Sequence, residues 1–337
     1  MTATDFSKYL TDYLTRYLPH ERGYSPNTIT AYRDTFVLFI TFMERIRNIK
    51  AEKLYLKSIT KASVVAFLDW LQTERKCSDT TRNLRLAALH SFFRYVQYQS
   101  PDNLYEYQNI MSIKLKKTKC TAMNYLTIEG IKLLLKQPDV TSEKGRRDLA
   151  LLSLMYDTGT RVQEIIDLTP SAIRLDKPYT IQIKGKGNKT RIVPLLEEQV
   201  KILKYYLDEH SLLKPQSRLY PLFSNSRQEK LTRPGVTHIL LKYADKARKR
   251  DPKLMPGKLS CHSLRHSKAM HLLQAGVNLV YIRDILGHVS VQTTEIYARA
   301  DSKQKREALE KAYVDVAPKV EPVWENNDNL LGWLKSF

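Results

Sequence analysis

The chain has 337 residues, with 55 Lys and Arg against 35 Asp and Glu, so its formal net charge is +20. This length suits two domains of ordinary size, and 42% hydrophobic residues are enough to build cores, which excludes wholesale disorder. The excess positive charge points to a polyanionic partner, with nucleic acid the first candidate, although ribosomal and membrane-surface proteins share this property.

Several other classes are excluded by what the sequence lacks. It has no run of 18 apolar residues that could span a membrane, and its start lacks the pattern of a signal peptide. Cys77, Cys120 and Cys261 are scattered and odd in number, which indicates a reducing cytoplasm rather than a disulfide framework or a zinc ribbon. Neither GxxxxGK[ST] nor GxGxxG occurs, so nothing in the sequence indicates nucleotide binding.

Residues 1–110 have the pattern of an all-helical domain. The first 23 residues carry apolar side chains at i, i+3, i+4 and i+7, the spacing of one helix face. Ser25 and Pro26 predict the N-cap and first turn of a second helix. A third helix is expected around 64–71 and a fourth from about Ser78. The predicted buried face of the fourth helix consists of Leu84, Leu86, Leu89, Phe92, Phe93 and Val96.

Residues 111–124 form a predicted basic linker without helical periodicity. It contains Lys114, Lys116, Lys117 and Lys119. The four lysines fit either a solvated connector or a segment that contacts DNA phosphates. We treat them as candidate DNA-binding residues.

Residues 125–317 form the predicted second domain, and residues 318–337 a separate tail. Alternation over 179–184, a turn at 185–189 and a second run at 191–194 predict an antiparallel hairpin. The tail ends in an apolar stripe that suits a short helix, packed either on its own domain or on a neighbouring protomer. The other predicted helices of this domain are 131–135, 149–167, 197–209, 237–250 and 259–300, the last with a break at Gly276.

Arg161 is the first residue with a pattern that indicates chemistry. It follows Thr158-Gly159-Thr160, a turn that opens a helix, so its guanidinium would lie beside free backbone N–H groups where an anion can bind. A surface arginine at a helix start would have the same local sequence.

A second group of candidates lies further along the chain. His262 and Arg265 are three residues apart and share one helix face, a pairing of proton carrier and cation that suits a phosphate. Gly287 then could end a helix and expose His288, and Tyr297 follows nine residues later.

The order of these elements resembles the tyrosine recombinase, or phage integrase, family. The shared sequence motifs include a basic hairpin turn, and the resemblance extends over about residues 1–310. The motifs are Thr158-Gly159-x-Arg161, Gly185-Lys186-Gly187-Asn188-Lys189, His262-x-x-Arg265, Leu272-Leu273-x-Ala275-Gly276, Leu286-Gly287-His288 and, in the first domain, Tyr24-Ser25-Pro26-Asn27-Thr28. The resemblance implies a mainly α fold. A helical core-binding domain and a mostly helical catalytic domain with a small antiparallel sheet would form a C-shaped clamp on DNA.

The resemblance also implies a role for each candidate. Tyr297 would be the nucleophile that forms a 3′-phosphotyrosine, and Lys186 would protonate the leaving 5′-oxygen. The remaining roles fall to Arg161 and Arg265 on the phosphate oxygens, His262 as acid/base for the tyrosine, His288 as a phosphate donor, and Glu164 as a supporting residue. Neither a metal nor another cofactor is implied, because the arginines supply charge and the phosphotyrosine conserves the bond energy.

For the nucleophile and the catalytic lysine, the sequence offers alternative residues. Tyr281 and Tyr313 are alternative nucleophiles. Lys184 and Lys189 compete with Lys186 and are otherwise, with Arg191, candidate DNA contacts. His266 and His271 suit structural or DNA-facing roles better than catalytic ones.

The sequence also leaves other functions open. Cys261, His262, His266 and His271 could form a metal site, but HExxH is absent and Arg265 would place a like charge beside the cation. A type IB topoisomerase-like enzyme and a catalytically inactive DNA-binding relative are further alternatives. The full set of expected side chains disfavours the inactive relative.

The resemblance finally implies an assembly and a task. The partner would be double-stranded DNA with inverted-repeat core sites, bound by a homotetramer that exchanges C-terminal tails. Helices that begin near Asp5 leave no room for an arm-binding domain, so we expect directionality to need an accessory protein. Integration and excision of a mobile element by a cytoplasmic, nucleoid-associated enzyme is the expected task, with chromosome-dimer resolution as the alternative.

Overall fold

The structure is a computed structural model that describes residues 3–118, 123–288, 290–300 and 330–335. The chain divides into two compact units, residues 1–121 and 122–337. Within the described ranges, no helix combines the length and apolar character needed to cross a membrane.

The first unit is built from helices with short connections. Helix α1 (Asp5–Asp12) continues as a π-helical segment, Tyr13–Glu21. The helices that follow are α2 (Pro26–Arg47), α3 (Lys61–Thr73), α4 (Asp79–Gln99) and α5 (Leu104–Met111). The predicted start of α2 is confirmed: Ser25 is its N-cap and accepts a hydrogen bond from the backbone N–H of Thr28. Ser78 caps α4 in the same way.

Aromatic rings form the centre of this unit. The Phe92 ring of α4 makes edge-on contacts with Phe6 of α1, Tyr13 and Phe36 of α2, with centroids 5.8, 5.3 and 5.1 Å away. The prediction that Leu84 belongs to the buried face of α4 is wrong, since 66% of its surface is exposed. It lies two residues from Leu86, and residues two apart on a helix do not face the same way.

The second unit is mostly helical and holds one small sheet. Its elements are α6 (Ile128–Leu135), α7 (Glu143–Thr158), α8 (Val162–Ile166), β1 (Ile173–Arg174), β2 (Thr180–Lys184), β3 (Thr190–Pro194), α9 (Glu197–Glu209), α10 (Arg233–Arg250), α11 (Cys261–Gln274), α12 (Leu279–Leu286), α13 (Gln292–Ala300) and α14 (Leu330–Lys335).

The predicted hairpin is confirmed, and a third strand joins it. Strands β2 and β3 pair antiparallel with Ile181 opposite Val193, and β1 adds on the other side of β2. Gly187 has φ 74° and Asn188 φ 60° in the connecting turn, a conformation that these two residue types adopt readily. The predicted mainly α fold with a small antiparallel sheet is therefore confirmed.

Two glycines divide the longer predicted helical stretches, at the positions where the local sequence predicts a turn (Gly159) and a helix end (Gly287). Gly159, with φ 57°, ends α7, so the predicted helix 149–167 becomes α7 and α8. Gly287, with φ 65°, ends α12 and adds a second break to the block 259–300. Left-handed backbone is easy for glycine and ends helices. Both breaks lie at the candidate site.

The tail stripe is only partly described. Leu330, Leu331 and Leu334 lie on α14, and the Leu334 side chain is 55% exposed. Phe337 and the rest of the predicted tail, 318–329 and 336, lie outside the described residues.

Candidate active site

Glu164 and Arg161 organise the start of α8. Arg161 is the N-cap residue, and its backbone N–H donates to Glu164 Oε2 at 2.9 Å. Its guanidinium also donates to Glu164 Oε1 at 2.7 Å. The Arg161 side chain is one-third exposed, so it remains accessible to a ligand at this helix start.

Three arginines from three elements converge on the end of α12. Each donates to a different one of three successive carbonyl oxygens. The pairs are Arg161 to Gly287 at 3.3 Å, Arg191 to Ile285 at 2.8 Å and Arg265 to Leu286 at 2.6 Å. The last carbonyls of a helix have no partner within it and carry partial negative charge. The end of α12 therefore holds the positive charges of the site close together.

Both glycine breaks are required by this packing. A Cβ on Gly287 would lie 2.9 Å from the Arg191 side chain, and a Cβ on Gly159 would lie 2.6 Å from Leu286 Cδ2. The Gly159 carbonyl oxygen also accepts from Arg265 at 2.6 Å. Side chains at either position would displace an arginine or the helix that holds it.

Glu164 joins two of the arginines. Besides Arg161, it accepts from Arg191 at 2.7 Å, and only 5% of its own side chain is exposed. Burial alone would raise the pKa of Glu164, but the hydrogen bonds and charges of Arg191 and Arg161 outweigh burial and lower that pKa. Glu164 is therefore the ionised counter-charge of the site.

Glu164→Gln is expected to destabilise the fold by about 3 kcal/mol at neutral pH, because Arg191 keeps a buried charge without its partner. The folded-state pKa of Glu164 is lowered, so its stabilisation is present above the ordinary carboxyl pKa and is lost as pH falls through the folded value. Urea unfolding of both proteins at several pH values measures this. The difference in the free energy of unfolding between Glu164→Gln and the parent protein should disappear at acid pH.

The control for this prediction is Glu198→Gln, whose partner Lys201 lies on the surface. We expect no measurable change there. A Glu164→Gln gap that stays constant down to acid pH would contradict the assignment.

Arg265 is the most enclosed of the three arginines, with 3% of its surface exposed. Burial, followed by the charge of Arg161, lowers the pKa of Arg265 to about 10, which leaves it charged at neutral pH. A guanidinium has five N–H donors. Two of them serve Gly159 and Leu286, so three remain for a ligand.

Tyr297 lies on α13 and is almost fully buried, with 1% of its surface exposed. Its phenol oxygen is 3.0 Å from His266 Nδ1. The His288 ring is parallel to the Tyr297 ring at 6.3 Å, and His288 Nδ1 contacts Thr294 Oγ1 at 2.9 Å. Burial raises the pKa of Tyr297, while the charges of Arg265 and Arg161 lower it in part. The phenol is therefore protonated at neutral pH and lies within the field of two arginines.

The two remaining histidines of the predicted set differ from each other. His262 is exposed as a residue, although its ring is partly enclosed, and its side chain makes no hydrogen bond within the described part of the chain; its ring centroid is 6.2 Å from that of His266. Burial, Arg265 and Arg161 lower the pKa of His262. Burial and the same arginines lower the pKa of His288 to about 4, so this ring is neutral at pH 7.

One hairpin lysine, Lys189, borders a cleft next to these residues. This cleft has a volume of about 530 Å³ and is lined by Arg161, Gly185, Lys189, Thr190, Arg191, Arg283, Asp284, Gly287 and His288. Lys184 and Lys189 are exposed. Lys186 lies in the turn between β2 and β3, and its side chain is outside the described part of the structure.

The linker lysines belong to the first unit. Lys114, Lys116 and Lys117 are exposed, and Lys119 lies outside the described residues. Lys116 is also tied to the helices: its backbone N–H donates to Asn83 Oδ1 at 3.0 Å, and its ammonium donates to Gln72 at 2.6 Å. Lys116 is thus held against α3 and α4 while the residue stays exposed.

Two residues of the site were not anticipated from the sequence. Arg191 was expected to contact DNA, but only 10% of its side chain is exposed and its guanidinium is bonded to Glu164 and Ile285. A surface contact is disfavoured because the protein itself uses these donors. His266 was predicted to have a structural or DNA-facing role rather than a catalytic one, and it contacts the Tyr297 hydroxyl. Its position directly after Arg265 was the one available signal.

The alternative metal site does not assemble. The Cys261 Sγ lies 3.7 Å from Thr237 Oγ1, and His271 Nδ1 contacts the Tyr156 hydroxyl at 2.9 Å. Among the residues that the structure describes, no three His, Cys, Asp or Glu side chains are grouped to hold a metal ion.

Comparison with known proteins identifies the class. The sequence profile of the phage integrase family matches residues 124–304, and the profile of the phage integrase N-terminal SAM-like domain matches residues 11–99. The chain therefore belongs to the phage integrase family, whose members include the tyrosine recombinases. The predicted family membership is confirmed.

Similarity to individual proteins specifies the activity of this family member. The chain is 36% identical over 323 residues to y4rC of Sinorhizobium fredii, an integrase/recombinase by name, covering 95% of each chain. It is 31% identical to tyrosine recombinase XerD of Listeria innocua, covering 86% of this chain and 93% of XerD. The structure of the XerH site-specific recombinase bound to its difH substrate superposes with a TM-score of 0.66 at 27% identity, covering 89% of this chain and 84% of XerH. The protein is a DNA-binding tyrosine recombinase that acts in site-specific recombination.

Proposed function

We propose that this recombinase cuts and rejoins DNA through Tyr297. The observation that carries the proposal is the position of this phenol within the field of Arg265 and Arg161, which share the end of α12. The Tyr297 oxygen attacks the scissile phosphorus and forms a 3′-phosphotyrosine, while the P–O5′ bond breaks. A 5′-hydroxyl from the partner duplex then reverses the step and joins new strands through a Holliday junction.

Arg161 and Arg265 stabilise the charge that grows on the non-bridging oxygens. Their positions are fixed before DNA binds, because each already donates to a backbone carbonyl and Arg161 also pairs with Glu164. Preorganised donors cost no rearrangement when the transition state forms. Arg191 supports them through Glu164 and the end of α12.

Lys186, His288 and His262 provide the proton transfers and the remaining hydrogen bond to the phosphate. Lys186, in the turn beside the cleft, protonates the leaving 5′-oxygen, and His288 donates a hydrogen bond to the phosphate. His262, at the exposed edge of the site, acts as acid/base for the tyrosine: it takes up the proton that the Tyr297 hydroxyl loses on attack and returns it when the phosphotyrosine is resolved. The chemistry uses no nucleotide, since the phosphotyrosine ester retains the energy of the broken bond.

The proposed task is integration and excision of a mobile element. The similarity to an integrase/recombinase along 95% of both chains supports it. We propose a homotetramer on inverted-repeat core sites, with the 318–337 tail docked on a neighbouring protomer and an accessory protein for directionality. Chromosome-dimer resolution is the second candidate, supported by the Xer recombinases among the relatives.

Strand exchange between two labelled duplexes that carry candidate element ends tests this function. Recombinant products, together with a covalent protein–DNA adduct on nicked suicide DNA, are expected at element ends. Strand relaxation without exchange would indicate a topoisomerase, and exchange confined to chromosomal sites would indicate a resolvase. Deleting residues 321–337 should weaken assembly on DNA, and unchanged assembly and recombination would contradict the tail proposal.

DNA binding is expected to weaken steeply as salt rises, because both parts of the chain are basic. Residues 1–124 hold 19 Lys and Arg against 11 Asp and Glu, and the rest holds 36 against 24. Each phosphate neutralised contributes about 0.9 to the slope of log K against log salt. Filter binding between about 50 and 300 mM KCl measures this slope, and a flat response would contradict phosphate-dominated binding.

A further inference from the structure

His266 contacts the reacting atom that the proposed function assigns. Its Nδ1 lies 3.0 Å from the Tyr297 hydroxyl, and the two ring centroids are 5.7 Å apart. No other hydrogen-bond partner of that hydroxyl occurs among the described residues. His288, the other ring beside Tyr297, is parallel to it at 6.3 Å and uses Nδ1 for Thr294. The phenol oxygen is therefore oriented by His266.

The surroundings make His266 a hydrogen-bond acceptor at neutral pH. Burial, followed by the neighbouring His262 and Arg265, lowers the pKa of His266 to about 4, so the ring is neutral at pH 7. A neutral imidazole carries one N–H and one lone pair. The positive charges of Arg161 and Arg265 attract the lone pairs of the Tyr297 oxygen. The phenol hydrogen is then directed away from the arginines and toward His266 Nδ1.

This arrangement suits a nucleophile. When the hydroxyl donates to Nδ1, its lone pairs stay free for the phosphorus that Arg161 and Arg265 would hold. The rest of the Tyr297 ring packs among apolar side chains: Ala269, Met270, Leu273, Ile282 and Leu286. Such contacts bury the ring but do not fix the direction of its hydroxyl, since dispersion is not directional.

We propose that His266 is a positioning residue for the recombination reaction, which accepts the Tyr297 hydrogen bond at Nδ1 and aims the phenol oxygen at the scissile phosphate. This inference rests on the proposed nucleophile. It differs from the roles given above to His262 and His288, which lie toward the exposed edge and beside Thr294.

Three variants separate this role from simple packing. In His266→Asn the amide oxygen occupies the place of Nδ1, so the acceptor is kept although the amide takes up no proton. In His266→Gln the amide oxygen falls near the place of Nε2 instead, and His266→Ala has no acceptor. The rate of single-turnover adduct formation on nicked suicide DNA, at saturating protein, reports how well the Tyr297 oxygen is positioned for attack. DNA affinity and thermal unfolding are measured alongside.

We expect His266→Ala and His266→Gln to form adduct about 10- to 100-fold more slowly, because small misplacement of a reacting group carries a penalty of this size. His266→Asn should stay within about threefold of the parent, and all three should bind DNA with unchanged affinity. The ranking Asn above Gln is the signature of an acceptor at Nδ1, because loss of packing alone would favour the bulkier Gln.

Two results would overturn the proposal. Adduct formation by His266→Ala at the parent rate or faster would mean that His266 restrains Tyr297 or has no role. His266→Asn as slow as His266→Gln, with both folded, would mean that the hydrogen bond does not set the rate. Tyr297→Phe serves as the separate control: an adduct that persists in it rejects Tyr297 as nucleophile, whatever the His266 variants do.

Discussion

Tyr297→Phe is expected to abolish covalent adduct formation and strand exchange, with a loss of about 10⁴-fold or more. The substitution removes one oxygen atom, and that atom forms the bond to phosphorus in the proposed reaction. The ring is 1% exposed and packs among apolar side chains, so phenylalanine fits the same space. Folding and DNA affinity should be unchanged, which separates chemistry from binding. Nicked suicide DNA, denaturing gels and a binding titration measure all three quantities.

Tyr281→Phe is the matched control for this prediction. Tyr281 lies on α12 with 65% of its surface exposed, and it was the competing nucleophile within the described residues. It should form adduct at the parent rate. Tyr313, the other competitor in the sequence, lies outside the described residues, and Tyr313→Phe should likewise remain active. An adduct that survives Tyr297→Phe and disappears in either of the others would reassign the nucleophile.

Arg265→Lys is expected to reduce adduct formation by about 10²- to 10³-fold, although the charge is retained. Lysine offers one nitrogen where the guanidinium offers a fork of donors. In the structure that fork bonds Gly159 and Leu286 at once and still has donors left for a phosphate. A lysine cannot serve both carbonyls and the phosphate. Single-turnover cleavage at saturating protein measures the loss.

Arg248→Lys is the control, because Arg248 is a half-buried arginine on α10 that likewise bonds a carboxylate, Asp245, and a backbone carbonyl, Pro256, but takes no part in the site. It should cleave DNA at the parent rate. Thermal unfolding accompanies both variants, since Arg265→Lys also leaves a buried carbonyl with a weaker partner. Full activity of a folded Arg265→Lys would show that charge alone suffices there and would reject the fork as the stabilising element.

The helices were predictable because their signals are local. Ser25 and Ser78 cap helices wherever the following residues can turn, and the apolar spacing of the first domain selects one buried face. The same logic failed at Leu84, an apolar residue off the buried stripe. The turn at Gly159 and the helix end at Gly287 were predicted from the local sequence, but the side chains that leave no room for a Cβ at either position are known only from the structure.

The chemistry was partly predictable because the order of Arg161, the basic turn, His262, Arg265, His288 and Tyr297 is readable along the chain and resembles that of a family. That order and the charge by themselves determined the class of enzyme and its polyanionic partner. Local sequence cannot say which side chains meet. Only the tertiary structure decided that Arg161 bonds a carbonyl 126 residues away and Arg265 one 106 residues away.

Local sequence also could not predict the partners of Arg191 and His266. Arg191 is exposed in an isolated hairpin, and only the packing of α12 against β3 buries it beside Glu164. His262 and His266 are one helical turn apart and the sequence favours His262, but the Tyr297 hydroxyl on α13 contacts His266. The sequence determined the elements and the reacting groups through local preferences. The tertiary structure decided their partners, because hydrogen bonds and ion pairs act over a few ångströms that only long-range packing brings together.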